Sequence, residues 1–224
     1  MTRPRAASDA FVAMLSETVR ARLNPVFSPL IDIIPVQSDV DMGPQDSAIF
    51  SSRNGVMAGP KGAGRAAYCI GPATTKAALA KGWNARQVGH DADSLVEALQ
   101  AMRPEGPIVH LSGMHTRGDI TGRLAQTGLN IANIAVYDQI LRPLSDEARQ
   151  VILNASRVIV PLFSPRSATQ FVQCAPTLHC VQAIALSTAV AREIPGDAVH
   201  SVIVTARPDA QAMGAALAEA LGTT

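Results

Sequence analysis

Short apolar runs alternate along the chain with segments whose apolar residues recur at helical spacing, and glycine, proline and hydroxyl residues mark the changes. Phe11, Leu15, Val19 and Leu23 recur every fourth residue behind Ser8-Asp9, a good N-cap pair, and predict one helix with a single apolar face. Residues 25–34 read as a strand. Tyr68-Cys69-Ile70 runs into Gly71-Pro72-Ala73, then into a helix from about Thr74 to Lys81 that Gly82 ends. The same order of strand, loop, helix and glycine returns with a strand at 108–111, a loop at 112–118, a helix around Ile120 and Leu124, Gly128, and a strand at 131–136. Strands separated by helices imply parallel sheets, so the fold class is α/β.

Laying one half of the chain over the other reveals a duplication. Ala48-Ile49-Phe50-Ser51-Ser52-Arg53 matches Pro161-Leu162-Phe163-Ser164-Pro165-Arg166 at an offset of 113 residues, and at that offset Thr74 falls opposite Ser187. Asp93 to Leu99 echoes Ala210 to Leu217 at a slightly longer offset. A period this long predicts two similar domains, each a parallel β-sheet flanked by helices. Open sheets bind ligands at the carboxyl ends of their strands, and two facing lobes place Ser51, Thr74, Ser164 and Ser187 around one expected cleft.

Composition narrows the classes. The chain has 224 residues, 47% hydrophobic and 4% aromatic, with a formal charge of +1. So few aromatics and so little net charge, without a long basic run, argue against a nucleic-acid partner. Cys69, Cys174 and Cys180 include no close pair, which points to a reduced cytoplasm rather than a disulfide framework or zinc ribbon. The first apolar cluster ends at Ser16-Glu17, too short for a signal peptide, and no run reaches the roughly 18 apolar residues of a membrane span. Neither a metal nor an organic cofactor is expected: the histidines share no ligand-like spacing, and Gly71-Pro72-Ala73 lacks the glycine spacing of a dinucleotide loop.

Thr2-Arg3-Pro4, Ser28-Pro29-Leu30-Ile31-Asp32-Ile33, Phe50-Ser51-Ser52-Arg53-Asn54-Gly55-Val56, Ile70-Gly71-Pro72-Ala73-Thr74, Val136-Tyr137 and Phe163-Ser164-Pro165 together resemble the uroporphyrinogen-III synthases in order and spacing. The resemblance implies a chain that starts one domain, builds the second and returns through a two-segment linker. The crossings then fall near Pro35-Val36 and from Tyr137 to Leu141, giving a first domain of 1–35 plus 141–224 and a second of 36–140. Two departures stand out. The family carries an apolar strand ahead of Thr-Arg-Pro, so the start here is either truncated or nearly without that strand. The second half has Ala185-Leu186 where the family has Gly-Pro.

The implied reaction is cyclisation of hydroxymethylbilane, with inversion of the fourth pyrrole ring and loss of water, in tetrapyrrole (haem, sirohaem, cobalamin, chlorophyll) biosynthesis. It makes the protein a carbon–oxygen lyase whose partner is a small molecule, with transient contact to the preceding pathway enzyme as a further expectation. Tyr137 matches the family's tyrosine and is the candidate acid for the departing hydroxyl. Arg3, Arg53, Arg117 and Arg166 fall in strand-to-helix loops suited to carboxylates. Ser51, Ser52, Thr74, Ser112, Gly113, Ser164, Ser187 and Thr188 line the same loops, where capping a helix is an equally good use of a hydroxyl. His115 is a candidate carboxylate donor or proton shuttle, while His110 reads as structural or surface. The alternative function is a non-catalytic two-domain α/β protein that binds a small anionic ligand or tetrapyrrole.

Overall fold

The structure is a computed structural model that describes residues 1–116 and 118–223. The chain divides into two compact units, one made of Met1–Asp32 with Ile140–Thr224, the other of Ile33–Gln139.

The helix predicted from Phe11 to Leu23 is two helices, α1 (Arg5–Met14) and α2 (Glu17–Ala21). The break lies at Leu15-Ser16, where the Ser16 hydroxyl accepts the Val19 N–H and caps α2. A local hydroxyl-to-backbone bond thus replaces one turn of helix. The apolar face survives the break, since Phe11, Leu15 and Val19 are buried together with Ile184, Met213 and Leu217. Nor do Ser8 and Asp9 cap: α1 begins four residues earlier, after Pro4, with Ser8 buried and Asp9 paired to Arg5 at 2.9 Å. Of the predicted strand at 25–34, β1 (Ile31–Pro35) holds the end. The residues before it lie along the N-terminus instead: Ser28 N–H donates to Met1 O at 2.9 Å, Leu30 N–H to Thr2 O at 3.0 Å, and the Met1 amine to Val26 O at 2.6 Å. Burial lowers the pKa of that amine to about 6.

The second unit follows as β2 (Ser47–Phe50), α3 (Arg53–Ala58), β3 (Ala66–Ile70), α4 (Pro72–Ala80), β4 (Asn84–Gly89), α5 (Ala92–Met102), β5 (Ile108–Gly113), α6 (Ile120–Ala125) and β6 (Ile131–Leu141). The sheet order is β1-β6-β5-β2-β3-β4, with β2 parallel to β3 and β5, β3 parallel to β4, and β5 parallel to β6. From β2 the chain steps outward to β3 and β4, then returns to the other side of β2 to lay down β5 and β6. Chain order therefore reverses between β2 and β5. Alternation along β2 supplies both faces: Ala48 and Phe50 pack with Val56, Cys69, Trp83 and Leu111, and Ile49 packs with Leu95, Leu99 and Leu124.

Helix α3 sits so close to β5 that only glycine fits at position 55, where an added Cβ would lie 2.4 Å from Leu111 O. Its carboxyl end is held by Lys81, whose ammonium donates to Val56 O at 2.8 Å and Met57 O at 2.7 Å, and also to Gly59 O. These are carbonyls that a helix end leaves without partners.

The first unit resumes with α7 (Asp146–Asn154), β7 (Val158–Leu162), α8 (Pro165–Cys174), β8 (Val181–Ala185), α9 (Thr188–Ala191), β9 (Ser201–Val204) and α10 (Ala210–Ala220). Its strands are parallel in the order β7-β8-β9. Val160 and Leu162 face one core with Leu30, Ile152 and Phe171, while Ile159 and Phe163 face the other with Phe11 and Leu217. The duplication holds as a repeated strand, cap and helix, but its register shifts. Ser52 (φ −152°, ψ 154°) and Ser164 (φ −150°, ψ 150°) are the equivalent caps, an offset of 112 rather than 113, and Ser187 caps α9 whereas Thr74 lies inside α4. Cap geometry, not residue identity, sets the correspondence.

Gly55→Ala should lower the stability of the chain by about 1–3 kcal/mol, the scale of overpacking against a fixed backbone, whereas Gly43→Ala, where an added Cβ finds its nearest neighbour at 3.6 Å, should change it little. Urea unfolding of both variants checks this, and equal midpoints would sink it.

Candidate functional site

In an open parallel sheet, the loops at the carboxyl ends of two neighbouring strands diverge where chain order reverses, and ligands bind there. In the second unit that place is the end of β2 and β5. Ser51 and Ser52 follow β2 directly. Ser52 caps α3, accepting the Gly55 N–H at 3.3 Å, and its hydroxyl lies 2.9 Å from the Tyr137 phenol. Tyr137 lies in β6, two residues before the chain leaves this unit at Gln139, and is 5% exposed, where a register shift after Ser112 sets it opposite Gly113. Its ring lies against that glycine: a Cβ on Gly113 would come within 2.7 Å of the phenol ring carbons. Met114 N–H closes the arrangement on Tyr137 O at 2.9 Å.

Ser51 is tied to a different partner. Its hydroxyl is 3.1 Å from His110 Nε2, and the other ring nitrogen is 3.2 Å from Thr121 Oγ1. His110 stands in the middle of β5, 2% exposed, and desolvation lowers its pKa to about 4, so the ring is neutral at physiological pH. Sequence reasoning set this residue aside. The signal that marked it was a lone titratable group inside the run Ile108-Val109-His110-Leu111 of a strand buried along its whole length.

The other sequence candidates separate. Ser112 is the fifth residue of β5 rather than a loop residue; it is 1% exposed and donates to Asn133 Oδ1 at 2.9 Å. Thr74 is in the first turn of α4, 6% exposed, because the helix starts at Pro72 and turns Thr74 inward. Arg53 is exposed at the start of α3. His115 is exposed beyond β5, with Nε2 3.6 Å from Asp138 Oδ1. Arg117 lies outside the described residues.

In the first unit the candidates gather at the carboxyl ends of β7 and β8. Ser164 caps α8 through Ser167 N–H at 3.2 Å, and Ser187 caps α9 through Val190 N–H at 3.4 Å. Thr188 is exposed at the start of α9, and Arg166 is half-buried in the first turn of α8. Thr2 Oγ1 donates to Pro161 O at 3.2 Å, which brings Arg3 alongside, its guanidinium 4.4 Å from the centre of the Phe163 ring. A separate cavity of about 390 Å³ opens in this unit under α1, between residues 22–26 and β7. It is lined mainly by apolar side chains, including Phe11, Leu15, Val160 and Phe171, and none of the described candidate residues lines it. Among the described residues, no group of three or more His, Cys, Asp and Glu could hold a metal ion, and no helix is long and apolar enough to cross a membrane.

The molecule is thus an α/β protein in which a phenol and several hydroxyls crowd a strand-end switch point. A family model described as uroporphyrinogen-III synthase HemD matches residues 14–215, and the chain belongs to that family. Membership makes it a cyclising lyase of the tetrapyrrole pathway that acts on a small-molecule substrate, and its function is that of a uroporphyrinogen-III synthase. No curated protein matches the chain. Solved structures that share its fold include the following two. A uroporphyrinogen-III synthetase of Helicobacter pylori is 16% identical over 89% of this chain and 97% of its own, with a TM-score of 0.68. A mutant uroporphyrinogen III synthase of Thermus thermophilus is 14% identical over 100% of both chains, with a TM-score of 0.53. At these identities the likeness is one of fold.

Because His110 takes up a proton more readily unfolded (about 6.5) than folded (about 4), its contribution to stability is complete above pH 6.5 and lost as the pH falls towards 4. The slope approaches 1.4 kcal/mol per pH unit in that window. The Met1 amine acts with the same sign between pH 8 and 6, so the check is the difference in unfolding free energy between wild type and His110→Leu across pH 4–8. A flat difference below pH 6.5 would show that the ring is not buried neutral.

Proposed function

We propose that the protein closes hydroxymethylbilane to uroporphyrinogen III as a hydro-lyase, with Tyr137 as the acid that carries off the hydroxyl. The observation that supports this most directly is the phenol fixed between Gly113 and Ser52 at the switch point of the sheet. A pyrrole nitrogen pushes its electron pair towards the terminal methylene, the C–O bond breaks, and the Tyr137 proton turns the departing hydroxide into water. The methylene then bonds to the substituted carbon of the last ring, and the resulting spiro intermediate rearranges to the inverted ring. A ring carbon finally releases a proton, which returns to the phenolate. Ser52 suits this cycle because its oxygen accepts the Gly55 N–H while its own O–H is free to donate to the phenol oxygen. Such a donor leaves the phenol proton for the leaving group and stabilises the phenolate that forms. Since the substrate supplies the electronic drive, the remaining demand is positional.

The substrate's carboxylates require donors, and the proposal assigns these to Arg3, Arg53, Arg117 and Arg166 with Ser51, His115, Ser164, Ser187 and Thr188, and with close backbone approach at Gly113. Ser112, whose hydroxyl is taken up by Asn133 Oδ1, supports the end of β5, and Thr74, in the first turn of α4, stays among the proposed contacts. A cytoplasmic location and transient contact with the enzyme that makes the bilane complete the reading.

Incubation of the purified chain with hydroxymethylbilane, followed by isomer analysis, should give the type III product without added cofactor. Recovery of type I alone, the product of spontaneous closure, would overturn the assignment. Tyr137→Phe should turn over about 10²-fold more slowly, the low end of general-acid effects, while its enzymatic product stays type III. A fully active Phe variant would remove the acid role, and a type I enzymatic product would show that the tyrosine shapes the substrate.

A further inference from the structure

We infer that His110 is a positioning residue, whose imidazole holds the Ser51 hydroxyl as an outward hydrogen-bond donor for a substrate carboxylate. The inference rests on the proposed function and on Ser51 touching substrate.

The geometry is a chain of three side chains from three elements. Thr121 Oγ1, in the first turn of α6, is 3.2 Å from His110 Nδ1, and His110 Nε2, from the middle of β5, is 3.1 Å from Ser51 Oγ behind β2. With 2% of its surface exposed, His110 is walled off from any ligand, whereas Ser51 is half-buried at the sheet's carboxyl end. A neutral imidazole carries one N–H and one lone pair in its ring plane. The two hydroxyls are therefore coupled: when one donates to the ring, the other accepts from it.

If Thr121 donates to Nδ1, then Nε2–H donates to Ser51, and the Ser51 proton points away from the ring. If Nδ1–H donates to Thr121, the Ser51 proton is drawn inward to Nε2, and only oxygen lone pairs face outward. Those lone pairs repel a carboxylate, while an outward O–H binds one. A substrate rich in carboxylates thus selects the first arrangement, and the buried ring lets it form by a tautomer change, without moving a heavy atom. Burial serves the purpose in another way: a ring held neutral by desolvation keeps the acceptor that Thr121 needs.

The test measures KM and kcat for Ser51→Ala, His110→Leu, His110→Gln and the double variant Ser51→Ala/His110→Leu, with thermal unfolding recorded beside each. Ser51→Ala and His110→Leu should each raise KM about tenfold, the scale of one hydrogen bond to a charged group. The kcat of each should stay within about twofold. The double variant should be no worse than either single one, since both remove the same donor. His110→Gln, whose amide reaches the Nε2 position, should restore KM to near wild type. An unaltered KM in His110→Leu, beside a raised one in Ser51→Ala, overturns the inference and leaves the function standing. Multiplying effects in the double variant do the same. Ser51→Ala without effect overturns both the inference and this part of the site, and type I product from wild type overturns the function itself. Should His110→Leu fail to fold, His110→Asn replaces it: its amide reaches only the Nδ1 position, so its KM should exceed that of His110→Gln, and equal values overturn the inference.

Discussion

The reversal of chain order between β2 and β5 is the constraint from which the candidate site follows. Parallel strands must be joined by crossovers, and the crossover from β2 runs outward to β3, while β5 returns on the opposite side. The loops leaving β2 and β5 therefore diverge, and in open parallel sheets ligands bind at such a point. Ser51 and Ser52 stand on one of these ends and Gly113 on the other. β6 adds Tyr137 beside Gly113, in a ladder position set by the register shift after Ser112.

Close packing makes that arrangement specific. Gly55 lets α3 approach β5, which carries Ser52 at the helix start to its place, and Gly113 lets the Tyr137 ring lie against the neighbouring strand. Both glycines are needed for space, not for an unusual backbone angle. Interiors packed this densely do not tolerate an extra methyl without displacing something, so the phenol is held by shape before any hydrogen bond is counted. The groups so placed are a phenol and a hydroxyl, which suits the role proposed for Tyr137 as a positioned proton donor.

Several misreadings of local pattern share one cause. A four-residue apolar spacing is satisfied by one long helix or by two short ones on the same side of a core, so Phe11 to Leu23 did not reveal the break that Ser16 makes with the Val19 N–H. Hydroxyl residues after apolar runs read as loop residues, yet Ser112 ends inside β5 and Thr74 inside α4, because a strand or helix boundary depends on which backbone groups find partners. The match of Arg53 to Arg166 was one residue out of register, since identity of side chains competes with equivalence of caps. Burial of His110 had a trace in the sequence, but its two hydroxyl partners lie on segments 59 residues before it and 11 after it.

The sequence by itself determined the α/β class, through alternating strand and helix periods, the resemblance to the uroporphyrinogen-III synthases, through short motifs in a fixed order, and the choice of Tyr137 as the candidate acid. The class and the motifs are legible because they rest on neighbours in the chain, where spacing, caps and turn residues act over a few positions, and the role of Tyr137 is what the resemblance implies. Tertiary structure alone decided that Tyr137 meets Ser52, that Gly113 makes room for its ring, and that a buried imidazole joins Ser51 to Thr121. Those contacts depend on strand order and register, which are fixed by how whole faces pack, and no local pattern encodes which strands will become neighbours.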